Sequence, residues 1–194
     1  MAAKSQNSTL FILQSVYKIE DVLLEKLNQT HVSVLFDLFS NPENIRFTDN
    51  VTHKSFVDSE LYLKDYEADM LAGRNIAFLI SVSGEMCGHV RFYNADSMHK
   101  FLSFGIFCKK ENRRKGIAEL VLRTLCSEIF SKTDFNRIEA QTFTENTAGI
   151  ALLEKLGMQR EGRLRQNFCI DGILRDSFIY AVLKQDFKFF KKNS

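Results

Sequence analysis

Tryptophan is missing from this 194-residue chain, and proline occurs once, as Pro42. A single proline leaves no proline-rich linker, and no repeat or low-complexity stretch divides the chain, so its length suits one domain with a substantial core. Long apolar runs are missing as well. None approaches the roughly 20 residues of a membrane-spanning helix, and the N-terminal apolar segment Leu10–Leu13 is too short for the core of a secretion signal. The cysteines, Cys87, Cys108, Cys126 and Cys169, show no CxxC spacing, and His31, His53, His89 and His99 are scattered without a His-Glu-x-x-His. No metal is expected from such a set; the reading is buried, reduced thiols in a cytoplasmic protein. The glycines form neither Gly-x-Gly-x-x-Gly nor Gly-x4-Gly-Lys-Ser/Thr, which excludes the usual dinucleotide and triphosphate loops. Charge of one sign is also scarce: the net charge is +2, which argues against nucleic acid as a partner.

What is present centres on Phe101–Glu119, FLSFGIFCKKENRRKGIAE. An apolar run, Phe101–Cys108, predicts a buried strand. A turn with five basic residues follows between Lys109 and Lys115, then Gly116 and a helix-periodic apolar run. The first amides of a helix lack partners within it, and the helix dipole adds partial positive charge there, so a strand, turn and helix in this order can hold a phosphate. Gly116 removes the Cβ that would keep an anion off the backbone, small Ala118 helps, and Arg113, Arg114 and Lys115 add cationic donors.

Around this unit the pattern predicts a mixed α/β order. Thr9–Val16 reads as an extra strand or a packed arm, and Asp21–Leu27 as the first strand. Asn28 caps a helix that stops near Ser40, before Asn41-Pro42, and Asn44–Asn50 is a loop. Ser55 caps a second helix to about Leu71. Strands follow at Asn75–Val82 and Met86–Tyr93, with a polar loop from Asn94 to Lys100. A helix runs from Gly116 to Ser131, a strand from Arg137 to Thr144, and a helix opens at Glu145-Asn146 and closes at Gly157. Met158–Ile170 and Ile173–Leu183 form a final pair of strands around an Asp171-Gly172 turn. Residues 1–19 read as an N-terminal arm, 20–185 as the domain, and 186–194 as a basic tail. The β–α–β passage from Phe101 to Thr144 predicts two neighbouring parallel strands inside an otherwise antiparallel sheet.

With these elements in place the chain resembles the GNAT superfamily of acyl-CoA N-acyltransferases, in the branch containing ribosomal-protein N-terminal and spermidine acetyltransferases. Arg113-Arg114-Lys115-Gly116-Ile117-Ala118 is similar to the family's Gln/Arg-x-x-Gly-x-Gly/Ala signature. The stretch from Asn146 to Glu154-Lys155-Leu156-Gly157-Met158 resembles its Asn-led helix, and Glu161-Gly162, Asp171-Gly172 and Phe39-Ser40-Asn41-Pro42-Glu43 resemble the branch. The resemblance implies a single-domain α/β fold whose central parallel strands splay apart, with helices on both faces. It implies acetyl-CoA as donor, bound by backbone groups of Ile106, Phe107 and Cys108, by Arg113, Arg114, Lys115, Gly116, Ile117, Ala118 and Glu119, and by Asn146, Gly149 and Leu153 on the far side. It implies a primary-amine acceptor, whether a protein N-terminus, a polyamine or an amino sugar, and it is compatible with a homodimer, since dimers are common among relatives.

The chain also departs from the family. Many relatives carry a tyrosine acid seven residues after the helix asparagine; here that position is Leu153. The position three after it, serine in some of the branch, is Gly149. A non-catalytic CoA-binding module is therefore the alternative to an enzyme. For a catalytic base the first candidate is Glu139, on the strand lining the cleft, set against an ion pair with Arg137. His89 and Tyr93 alternate on the preceding strand and offer a relay through water.

Overall fold

The computed structural model describes residues 9–48, 52–170 and 172–187. The polar start at 1–8, the end of the loop at Asp49 and Asn50, Asp171 of the last turn and the tail from 188 onward lie outside the described residues.

Among the described residues eight strands form one sheet, β1 (Val16–Ile19), β2 (Val22–Lys26), β3 (Ile76–Val82), β4 (Glu85–Asp96), β5 (Phe101–Cys108), β6 (Arg137–Phe143), β7 (Gln159–Ile170) and β8 (Ile173–Leu183), in the spatial order β1-β2-β3-β4-β5-β6-β8-β7. Strands β1 (Val16–Ile19) and β2 (Val22–Lys26) pair antiparallel, so the sheet begins one strand earlier than the alternation at Asp21 suggests. The segment left open as strand or arm is a short 3-10 turn, Thr9–Ile12, leading into β1. The reason is Tyr17, which is buried edge-on against Phe78 at 5.8 Å and anchors β1 to the sheet.

Asn28 caps a 3-10 turn that continues as helix α1 (Val32–Phe39). The predicted loop after it holds a further turn of helix, α2 (Pro42–Ile45). Asn41 Oδ1 accepts the Glu43 amide at 3.0 Å and Pro42 stands in the first turn, where its missing N–H costs nothing. Helix α3 (Phe56–Leu71) starts at a Ser55/Asp58 capping box. The meander of β3 (Ile76–Val82), β4 (Glu85–Asp96) and β5 (Phe101–Cys108) follows. Its first turn is the pair Ser83-Gly84, both at positive φ, as a two-residue hairpin requires. Strand β4 outruns its predicted end at Tyr93 by passing an irregularity in register, with Asn94 at φ 52°.

Helix α4 (Ile117–Lys132) then carries the chain to β6 (Arg137–Phe143), parallel to β5, and α5 (Thr147–Lys155) carries it to the β7 (Gln159–Ile170) and β8 (Ile173–Leu183) hairpin. Helices cover both faces of the sheet. On one, Val121, Leu122, Leu125, Ile129 and Phe130 of α4 and Leu153 of α5 pack on Val90, Phe92, Leu102 and Phe104. On the other, Leu35, Leu38 and Phe39 of α1 and Leu63 and Tyr66 of α3 pack on Ala77, Leu79 and Phe107. Burial of large aliphatic and aromatic side chains, each worth about 1.5–3 kcal/mol, holds both layers.

The feature that positions the site is the short β5–β6 ladder. It runs from Phe101↔Arg137 to Phe104↔Ala140 and stops, although both strands continue. From Gly105 to Cys108 the β6-facing edge of β5 has no strand beside it. No helix among the described residues is long and apolar enough to cross a membrane.

Candidate active site

Where β5 and β6 part, a cleft of about 420 Å³ opens. Its walls come from both faces of the sheet. Gly105 and Ile106 of β5 face Ala140, Gln141, Thr142 and Phe143 of β6 across the gap. Asn146, Gly149, Leu152 and Leu153 of α5 close the α4–α5 side; His53, Tyr62, His89, Arg91 and Tyr93 line the α1–α3 side.

One end of β5 leads into the basic turn. Lys110–Asn112 make a 3-10 turn, Arg113 is extended, Arg114 has φ 60° and Gly116 φ 80°, and Gly116 caps α4 with no side-chain bond. Among the described residues the N–H groups from Arg114 to Glu119 find no acceptor. A Cβ built on Gly116 would meet nothing within 4 Å, so the space over these amides is open. Unbonded amides converging on open space at a helix N-terminus suit a diphosphate.

The side chains of the turn divide their work. Arg113 donates from Nε to Cys108 O at 3.0 Å and from Nη2 to Glu43 O, tying the turn to β5 and α2. Lys109 pairs with Asp37 at 2.6 Å. Arg114 and Lys115 are exposed and carry no ion pair among the described residues, while Ile117 is buried in the core and Ala118 packs against it. Glu119 bridges Arg123 at 3.0 Å and Lys155 at 2.5 Å. Burial pushes its carboxyl up and the two cations outweigh this, leaving it below its ordinary range. Glu119 thereby joins α4 to α5. Phe107 and Cys108 point their side chains into opposite cores, and Ile106 borders the cleft.

Across the gap Asn146 sits at the start of α5. Its Oδ1 accepts the Gly149 amide at 3.0 Å and its Nδ2 donates to Thr142 Oγ1 at 3.0 Å. Gly149 is a steric requirement here, because a Cβ at that position would lie 2.4 Å from Asn146 Nδ2 and 2.7 Å from Thr142 Oγ1. Leu153, at the family's tyrosine position, is buried and lines the cleft with carbon only.

Glu139 is placed elsewhere. It pairs in register with Ser103, below the point of divergence, and is not among the cleft-lining residues. Its carboxylate accepts Arg137 Nε at 2.6 Å, and Arg137 also binds Glu161. This is the ion pair that stood as the alternative to a catalytic base. Tyr180, a further candidate donor, is fully buried and donates to Glu154 at 3.3 Å.

The α1–α3 wall is built of side chains that sequence reasoning largely missed. His89 is 3 % exposed, and burial, with Arg91 nearby, pushes its imidazole down to about 3, so the ring is neutral. Its Nε2 has no hydrogen-bond partner. The ring meets Phe39 edge-on at 5.5 Å and Phe107 at 5.8 Å. His53 stacks on Phe39 at 4.8 Å and shares a 2.8 Å hydrogen bond with Ser59; burial lowers its pKa too. The alternation that puts His89 and Tyr93 on one face of β4 also puts Arg91 there, and that signal was available in the sequence. Nothing in the sequence brings His53 or Tyr62 to the same wall.

Residues 21–159 match the model of the acetyltransferase (GNAT) domain. Over 171 residues the chain is 27 % identical to the uncharacterized N-acetyltransferase YoaA of Bacillus subtilis, covering 87 % of this chain and 97 % of that one. Its fold is similar to spermidine N-acetyltransferase from Vibrio cholerae, solved with CoA and spermine, at TM-score 0.77 and 20 % identity over 87 % of this chain and 98 % of the other. It is likewise similar to RimL, the ribosomal L7/L12 alpha-N-protein acetyltransferase solved with coenzyme A, at TM-score 0.80 and 20 % identity over 87 % and 97 % of the two chains. With an open helix N-terminus beside two diverging parallel strands and a family match across most of its length, the chain belongs to the GNAT acetyltransferases.

Proposed function

We propose that the protein acetylates a primary amine, on a small molecule or a peptide, by direct attack within a ternary complex formed at the β5–β6 cleft. The observation that carries this reading is the juxtaposition of the unbonded amides around Gly116 with the unpaired edge of β5. The amides from Arg114 to Glu119 hold the diphosphate, and Arg114 and Lys115 add charge at the rim. The edge of β5 at Ile106, Phe107 and Cys108 pairs with the extended arm as an added strand would. Asn146, Gly149 and Leu153 bound the other side. The donor supplies an activated acyl group on sulfur.

The residues of the cleft then set the terms of the reaction. The attacking nitrogen must be neutral, whereas an alkylamine of pKa about 10.4 is almost all ammonium at neutral pH. Neutral His89 lines the cleft without adding positive charge beside an incoming amine. Negative charge developing on the acyl oxygen meets a backbone amide of β5, a fixed donor. Leu153 carries no proton, so the departing thiolate takes one from water; a thiol near pKa ~8.5 leaves tolerably without a protein acid. Its free thiols suit a cytoplasmic protein.

Calorimetric titration with acetyl-CoA, followed by thiol release in the presence of an amine panel, tests the reading. Saturable binding with amine-dependent release is expected. A flat titration ends it.

A further inference from the structure

The identity of the acceptor is written in the α1–α3 mouth of the cleft. In the β4–β5 register Arg91 lies opposite Gly105, the first residue of β5 beyond the last pair with β6. Arg91 therefore stands beside the point where the strands part. Its Nε has no hydrogen-bond partner. Its guanidinium lies 5.6 Å from the Tyr93 ring and reaches Asp69 only at 3.6 Å. Asp69 is more tightly held by Arg74, at 2.5 Å, so one carboxylate serves two guanidiniums and the group keeps a net positive charge. One alternation along the same face of β4, about 7 Å along the backbone, stands His89, whose buried Nε2 has no partner and whose ring is backed by Phe39, on which His53 stacks. Among the described residues no carboxylate lines the cleft.

Among the described residues a polycation finds no carboxylate lining this wall and meets a guanidinium. An anionic group meets the guanidinium itself, whose Nε is buried but whose side chain is 30 % exposed and lines the cleft, where a charge-assisted bond can form. Resting on the acetyl-transfer reading above, we propose that the acceptor is an amine carrying an anionic group, a carboxylate or a phosphate, a few bonds from its nitrogen. Arg91 binds that group, and the apolar remainder of the acceptor lies along the His53, Tyr62 and His89 wall. Arg91 is thus a specificity residue for the second substrate; of the acidic residues of α3, Glu60 and Asp65 are exposed and Asp69 is engaged by Arg74 and Arg91.

Matched pairs test this with the full chain and acetyl-CoA, following thiol release: phenylalanine against phenylalaninamide, 2-aminoethyl phosphate against ethanolamine, and spermidine as the polycation. The anionic member of at least one pair is expected to exceed its neutral partner in kcat/KM by roughly tenfold or more, the scale of one charge-assisted hydrogen bond. Which pair responds separates a carboxylate from a phosphate. Arg91→Gln should bring that ratio close to one through KM, and Arg91→Lys should restore part of it, with acetyl-CoA binding by calorimetry as the check on folding. Turnover of spermidine or the neutral amines equal to or above the anionic ones overturns the inference and leaves acetyl transfer standing. A ratio unmoved by Arg91→Gln also overturns it. Thiol release with no amine at all, despite acetyl-CoA binding, overturns the inference together with the reading it rests on.

Discussion

The two mouths of the cleft are made of different material. On the side proposed for the donor the candidate groups are mostly backbone: amides from Arg114 to Glu119, the free edge of β5, and a helix start held by the Asn146 side chain. On the side proposed for the acceptor they are side chains from distant parts of the chain, His53, Tyr62, His89 and Arg91. A diphosphate and an extended thioester arm can be held by main chain, which any sequence supplies once its path is right. Choosing one amine among many needs particular side chains. Common chemistry rests on the fold, and discrimination rests on what is hung from it.

Gly116→Leu attacks the backbone-built side most directly. A Cβ at φ 80° is strained, and a leucine would cover the amides it now leaves open. Acetyl-CoA affinity should fall by about 10²-fold, roughly 3 kcal/mol, measured by calorimetry. Should affinity hold, the amides are not what grips the donor. Gly149→Ala is the next largest. Its Cβ would displace Asn146 or Thr142, and loss of that cap costs about 1–2 kcal/mol of stability, visible as a lower Tm, despite alanine's better helix propensity.

On the side-chain-built mouth His89→Phe should change the response to acid. Folded, the His89 ring stays neutral down to about pH 3; unfolded, it takes up its proton near 6.5. Between those values the unfolded chain binds the extra proton. His89 therefore leaves stability intact above pH 6.5 and erodes it as pH falls, by up to about 1.4 kcal/mol per pH unit. The variant should flatten that slope in denaturant titrations at stepped pH, with His53 supplying a residual slope of the same sign. An unchanged slope would mean that the ring already titrates in the native cleft. Smallest of all, Glu139→Gln should leave the pH–rate profile as it is and cost no more than about 1 kcal/mol, because it removes a partly exposed ion pair. A lost acidic limb would return Glu139 to the reaction.

This division also governs how far the sequence could be read. Donor-side residues are neighbours along the chain, and the rules for them are local: a glycine where φ turns positive, an asparagine before a helix, an apolar run before a basic turn. Phe101–Cys108 follows from such rules to the residue, and the start of α4 to within one. Strand β1 and helix α2 did not, because Tyr17 packing on Phe78 and an asparagine cap with Pro42 decided them, the first through tertiary contact and the second in a single turn too short for periodicity. The acceptor wall gathers residues from before α3, from α3 and from β4, and no spacing links them. Glu139 shows the opposite error: alternation placed it rightly on a face of β6, but only the extent of the β5–β6 ladder shows that it lies short of the gap.

That ladder has a mechanical side. Five strands lie on one flank of it and three on the other, and the hydrogen bonds joining the flanks span Phe101–Phe104 alone. The seam is thus joined by four register pairs, as few as hold β1 to β2, but it runs through the middle of the sheet rather than along its rim. Amide exchange should spread outward from Gly105 and Gln141, and an occupant lying along β5 would act as a splint, making the molecule stiffer as well as loaded.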